Sequence, residues 1–160
     1  MRELLYEHIG GFTGRILMPH ITLFLADVPE VQGEAIGCGV EMGVRGATPF
    51  ELSYAGITHF SDQRTIFIDP VEKNAIATVR DPIVEAVSAQ LPSPSFVRAT
   101  LHPHLTIAAG LKPSQFAAAW TLLAPHAFTA KQHVDRVMLL RRPLEAGAVY
   151  TAVRSFPFVG

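Results

Sequence analysis

The sequence predicts an α+β fold with antiparallel sheets, and three observations carry that reading. Apolar runs with the density of strands alternate with stretches of helical spacing, and these elements recur in two comparable halves. One short pattern, Pro-His-apolar-Thr-apolar, occurs in each half, at residues 19–23 and 103–107. No low-complexity segment or linker separates the halves, so the 160 residues read as a single domain, or two lobes sharing one fold.

Taken in order, residues 2–9 form a short helix, with Leu4, Leu5, Tyr6 and Ile9 apolar and Gly10-Gly11 ending it. RILMPHITLFLADVP has the apolar density of a buried strand and closes at Pro29. Residues 30–46 carry five glycines among apolar positions and predict a poor helix, since each glycine costs about 1 kcal/mol relative to alanine. Pro49 to Pro70 reads as two strands, FELSYAGITHF and TIFID, joined by a turn at SDQR. From Val71 to Leu91 the spacing of Ile76, Val79, Ile83, Val84 and Val87 is helical, with Pro82 a kink or a restart. LPSPS is a loop, and FVRATLHPHLTIAAG is a second dense apolar run. Residues 113–124 read as a helix opened by Pro113, with Phe116, Ala119, Trp120 and Leu123 on one face. The remainder gives two or three strands with a turn at LEAG.

Composition excludes some functions. Hydrophobic residues make up 49% and charged residues 17%, which supports a buried core rather than disorder. Thirteen Lys+Arg against fourteen Asp+Glu give a net charge of -1, so bulk charge does not signal a long nucleic acid held on a basic face. A small anion held by a few local donors is compatible with that balance. The one cysteine, Cys38, allows neither an intrachain disulfide nor a Cys-based metal site, and its glycine-rich surroundings predict burial. No apolar run approaches the roughly 20 residues of a membrane helix, and MRELLYEHIGG does not have the pattern of a signal peptide. The expected location is cytoplasmic, away from membranes.

The repeated pattern is the most informative feature. At ordinary residue frequencies one match in a chain of this length has odds of roughly one in a thousand, and two matches something like one in a million. In a strand, side chains alternate faces, so His20 and Thr22 point one way and Ile21 and Leu23 the other. His104 and Thr106 stand in the same relation to Leu105 and Ile107. Two such strands side by side present two imidazoles and two hydroxyls to one surface, a set suited to phosphodiester cleavage without metal. One neutral imidazole takes a proton from water, and the other, protonated, gives one to the leaving oxygen. Histidine suits both roles because its ordinary pKa of about 6.5 lies near neutral pH. The hydroxyls donate to the non-bridging oxygens as charge builds on them.

These two motifs resemble those of the two-histidine (2H) phosphoesterase superfamily, in particular its 2′-5′ RNA ligase and cyclic phosphodiesterase branch. PFELSYAGITHF with RTIFIDP resembles the family's middle hairpin, and VDRVMLLRRPLEAGAVYTAVRSFPF its C-terminal one. The resemblance implies a bilobal α+β fold: two antiparallel sheets with outer helices, related by a pseudo-two-fold, and both motifs in a central cleft. It implies catalytic His20 and His104, phosphate-binding Thr22 and Thr106, no metal and no cofactor. The implied partner is an RNA end or a small nucleotide with a cyclic phosphate. One departure stands out: family members usually begin with a strand before the first helix, and this chain starts at the helix. A missing strand would expose a sheet edge and favour pairing with a second copy, so the expected state is a monomer or weak homodimer.

Five further residues are candidate substrate contacts: Phe24, His59, Arg64, His102 and Tyr150. Phe24 could stack a base, although a core position is the better reading. His59 stands at a hairpin end. Arg64, like Arg98, Arg141 and Arg142, offers a guanidinium to a phosphate or base, and Tyr150 resembles a family aromatic near the cleft. His102, His104 and Thr106 alternate along one expected strand, so two histidines could share a metal, but no acidic residue accompanies them and Pro103 intervenes. The activity implied is hydrolysis of a 2′,3′-cyclic phosphate or a 2′-5′ phosphodiester, with ligation as its reverse. The alternatives are a catalytically silent nucleotide- or RNA-end-binding protein on the same scaffold, and a metal-dependent hydrolase using His102 and His104.

Overall fold

The computed structural model describes residues 1–15, 18–92, 96–145 and 148–159. Parts of three sequence readings lie outside them: Ile16 and Leu17 of the first apolar run, Ser93 to Ser95 of LPSPS, and Ala146 and Gly147 of LEAG. In chain order the elements are α1 (Arg2–Ile9), β1 (Phe24–Asp27), a 3-10 turn (Glu30–Gln32), α2 (Gly33–Gly43), β2 (Phe50–His59) and β3 (Ile66–Pro70). They continue with α3 (Lys73–Gln90), β4 (Phe96–Ala99), β5 (Leu105–Ala108), α4 (Pro113–Leu123), β6 (Thr129–Val134), β7 (Arg136–Arg141) and β8 (Thr151–Pro157). The mixed α+β class with antiparallel pairing is as the patterns predict. The chain folds into two compact units, one of residues 1–21, 53–71 and 103–131, the other of residues 22–52, 72–102 and 132–160.

The first unit holds most of a four-stranded sheet of order β5-β3-β2-β6. β3 is buried along nearly its whole length, as its β-branched and aromatic residues demand, and pairs antiparallel with β2 and with β5. The β2–β3 register shifts between Tyr54 and Ile57, where Gly56 takes a left-handed φ of 77° that only glycine adopts at no cost. α4 opens at Pro113, and the Lys112 N–H donates to Gln115 Oε1 at 3.2 Å. Its Phe116, Ala119 and Leu123 are buried on the face that the spacing predicts, with Trp120 half-buried beside them. α1 seats Leu5 at 0% exposure, while Leu4 and Tyr6 stay exposed. Its C-terminal end is fastened by Gln115, whose Nε2 donates to the Ile9 and Gly11 carbonyls at 3.0 and 3.1 Å.

The second unit is built on α2 against α3. Ile36, Val40, Val44, Val79, Ile83 and Val87 form its core with Phe156 and Phe158. α2 forms over 11 residues despite its glycines, for a reason that lies in α3. A Cβ on Gly39 would fall 2.6 Å from Val87 Cα, and one on Gly43 would fall 2.4 Å from Ile83 Cα. The missing side chains let the helices touch backbone to backbone, and that packing offsets the poor propensity. Pro82 neither restarts nor divides α3, which runs unbroken for 18 residues. The cost of Pro82 is absorbed by the four side chains, Ile76, Val79, Ile83 and Val87, that the helix buries around it.

Four expectations are corrected. The first apolar run is not one strand: regular pairing begins only at Phe24, preceded by an isolated antiparallel bridge at Ile21. The second run breaks into β4, paired with β1, and β5, paired with β3, so residues 100–104 lie outside both strands. The alternation that would align His102 with His104 is therefore absent, because Pro103 lacks the N–H a ladder needs and the chain bends at residues 101–102. Among the described residues the second unit carries two two-stranded antiparallel ribbons, β1–β4 and β7–β8. Cys38 is exposed, since α2 turns Ile36 and Val40 inward and a residue two places on from Ile36 faces the opposite side.

Candidate active site

The centres of the two motifs meet in the first unit. The central apolar residue of each, Ile21 and Leu105, forms an antiparallel bridge. Such a pairing joins the motifs at equivalent positions. Thr22 follows Ile21 directly and is the first residue of the second unit. On its other edge β5 is held by β3, with Thr106 opposite Phe67 and Leu105 opposite Ile68.

The two histidines are held differently. His20 Nδ1 lies 2.7 Å from the Met18 carbonyl. A carbonyl oxygen can only accept, so Nδ1 carries the proton of the neutral ring and Nε2 carries its lone pair. The His104 ring lies 5.0 Å from that of Phe60, at an interplanar angle of 87°, and 5.0 Å from that of Phe67, at 57°. Phe60 and Phe67 themselves pack 4.4 Å apart, and Phe67 is buried. Pro103 is also buried, which anchors the approach to His104.

A neighbour that sequence reasoning missed is Arg2. Its Nη2 donates to the Thr106 carbonyl at 2.6 Å, reaching from α1 to a residue 104 positions away. Partial burial holds its pKa below the usual arginine value, through loss of hydration of the charged form. No local signal marks Arg2, because an arginine in a first helical turn reads as solvated surface.

Of the remaining candidates, His59 and Arg64 lie in the first unit and Phe24, His102 and Tyr150 in the second. His59 ends β2 in the first unit, where its Nδ1 donates to the Phe60 carbonyl at 2.8 Å. Its ring stands edge-on to Phe116 and Trp120 of α4, at 5.0 and 4.7 Å. Arg64 sits in the β2–β3 turn, its backbone N–H donating to Asp62 Oδ1 at 3.0 Å. Phe24, half-buried, packs against the core of the second unit. His102 is exposed in the bend before the second motif, also in the second unit. There the Arg142 guanidinium lies 5.0 Å from the centre of the Tyr150 ring, and Arg141 pairs with Glu30 at 2.5 Å. No helix among the described residues is long and apolar enough to cross a membrane.

The family model of the 2′-5′ RNA ligase superfamily matches residues 14–145, which include both motifs. The chain belongs to that superfamily. Solved structures share its fold. The crystal structure of E. coli LigT complexed with 3′-AMP aligns with a TM-score of 0.69 at 14% identity, covering 99% of this chain and 88% of that one. TT0787 of Thermus thermophilus aligns with a TM-score of 0.66 at 22% identity, covering 88% and 78% of the two chains. A further crystal structure, of a phosphoesterase, gives 0.63 at 16% identity, covering 99% and 92%. At these identities the likeness to the solved structures is one of fold. No curated protein matches the sequence. Membership of the 2′-5′ RNA ligase superfamily points to phosphoesterase or ligase-like enzymatic activity.

Proposed function

We propose that this member of the superfamily is a metal-independent phosphodiesterase for a 2′,3′-cyclic phosphate or a 2′-5′ phosphodiester, on an RNA end or a small nucleotide. His20 and His104 exchange protons, and Thr22 and Thr106 donate to the phosphate. The observation that carries this reading is the Ile21–Leu105 bridge, which joins the two copies of one motif at their equivalent centres. A repeat maintained only for packing has no need to pair in register with itself.

In the reaction one imidazole takes a proton from water as the water oxygen attacks phosphorus. The other imidazole, protonated, gives its proton to the departing ribose oxygen as the P–O bond breaks. The products are a phosphomonoester and a free hydroxyl, and the same path in reverse forms the ester. His20 enters with a defined polarity: with the proton on Nδ1, its Nε2 is the atom that accepts or returns a proton. The Thr106 hydroxyl stabilises charge on the non-bridging oxygens. The near-neutral net charge favours a short substrate over a long nucleic acid, and the 3′-AMP bound by E. coli LigT supports a nucleotide as its chemical class.

The test is hydrolysis of 2′,3′-cyclic AMP, and of a short RNA ending in a cyclic phosphate, in the presence of EDTA. Wild type is run beside His20→Ala and His104→Ala. Turnover that survives EDTA and falls at least about a hundredfold in either variant fits acid–base roles of ordinary size. Turnover retained by both variants would remove the histidines from the mechanism, and no turnover of either substrate would favour a binding protein.

A further inference from the structure

We propose that Arg2 is a positioning residue for the second motif, tying α1 to the backbone at Thr106 and so setting where the Thr106 hydroxyl stands. The inference rests on the functional reading above and extends it to a residue outside both motifs.

β5 is the terminal strand of its sheet, with β3 alone as a regular neighbour. Among the described residues, single-residue bridges lie at its start, Ile21–Leu105, and just beyond its end, Thr13–Ala109. Thr106 lies between those bridges, on a strand of only 4 residues. In so short a terminal strand each added contact helps to fix twist and register. The Arg2 guanidinium supplies a charge-assisted donor to the Thr106 carbonyl in this interval, at 2.6 Å. Its partial removal from water strengthens that bond.

The arginine is itself held. One turn along α1, Leu5 is fully buried, and at the far end Gln115 clamps the Ile9 and Gly11 carbonyls. On the exposed side Glu3 pairs with Arg15 at 3.3 Å, and Arg15 stacks over Tyr6. α1 is thus fixed along its length, and Arg2 transmits that fixity to the strand that carries Thr106.

The experiment compares Arg2→Met, Arg2→Lys and Gln115→Ala in the full chain. It reads kcat and KM for 2′,3′-cyclic AMP, melting temperature, and amide hydrogen exchange at residues 105–108. Arg2→Met should lower kcat about tenfold with KM within about twofold of wild type, as a displaced catalytic group does. Exchange at 105–108 should quicken in parallel. Arg2→Lys, keeping a charged donor, should restore most of both. Gln115→Ala loosens the other end of the helix and should lower the melting temperature, with a smaller loss of kcat than Arg2→Met because buried Leu5 still holds the first turn.

Unchanged exchange at 105–108 in Arg2→Met would overturn the proposal. So would a raised KM at constant kcat, which would make Arg2 a substrate contact, or an equal loss of kcat in Gln115→Ala. Should Arg2→Met fail to fold, Arg2→Gln, uncharged and shorter, carries the comparison: exchange at 105–108 faster than wild type supports the tie, and exchange equal to wild type opposes it. A wild type that turns over neither substrate would remove the functional reading alone, since the exchange data decide the tie independently of activity.

Discussion

The two copies of the motif share a sequence pattern and differ in what holds them. His20 is anchored by a main-chain carbonyl, His104 by two phenyl rings. A carbonyl anchor selects a tautomer, because it accepts and cannot donate. A ring contact restrains the plane of an imidazole. The bridged motifs thus bring different neighbours to their two imidazoles.

Removal of either imidazole is the hardest test of the comparison. His20→Ala and His104→Ala should each cost at least about a hundredfold in kcat, and the double variant little more, since the two act as one unit. A large loss in only one would leave the other a packing residue. Wild-type kcat/KM should fall on both sides of a pH optimum, because one imidazole must be neutral while the other is charged. A monotonic profile would break the pairing.

Thr106→Val keeps the shape and removes the donor. It should cost roughly tenfold to a hundredfold in kcat, a smaller loss than that of an imidazole. Phe60→Leu sharpens the contrast between the anchors: turnover should drop about tenfold as the His104 ring gains freedom. Met18→Ala should change turnover by less than about threefold, because the carbonyl that holds His20 belongs to the backbone and survives the substitution. Equal effects of Phe60→Leu and Met18→Ala would erase the distinction. Gly43→Ala touches neither anchor and acts on stability, by about 1–3 kcal/mol, or roughly 3–10 °C in Tm by thermal unfolding.

Much of this was legible because it rests on local pattern. The period of Phe116, Ala119 and Leu123 marked the buried face of α4, and the β-branched run of β3 marked a buried strand. The motifs could be read because two strong punctuators, Pro19 and Pro103, stand in the same place in each. What could not be read depends on distant partners. Leu23 and Leu105 look alike in sequence, yet Leu105 opens β5 and pairs in the first unit, while Leu23 packs in the core of the second. An apolar run does not announce where the chain will leave one sheet for another. Cys38 misled because composition suggests burial, whereas burial on a helix follows angle: Ile36 and Val40 set the inward face and Cys38 falls outside it. Arg2 was invisible because its partner is 104 residues away.

The glycines of α2 carry a consequence for how this lineage can change. At Gly39 and Gly43 every substitution adds atoms, and the nearest atoms they would strike are main chain, which cannot be trimmed by a second mutation in α3. No single step, and no simple pair of steps, leads from these two positions to another residue without parting the helices. The seam is an isolated point in sequence space, and drift in this family member should be diverted to other surfaces, such as the exposed length of β8.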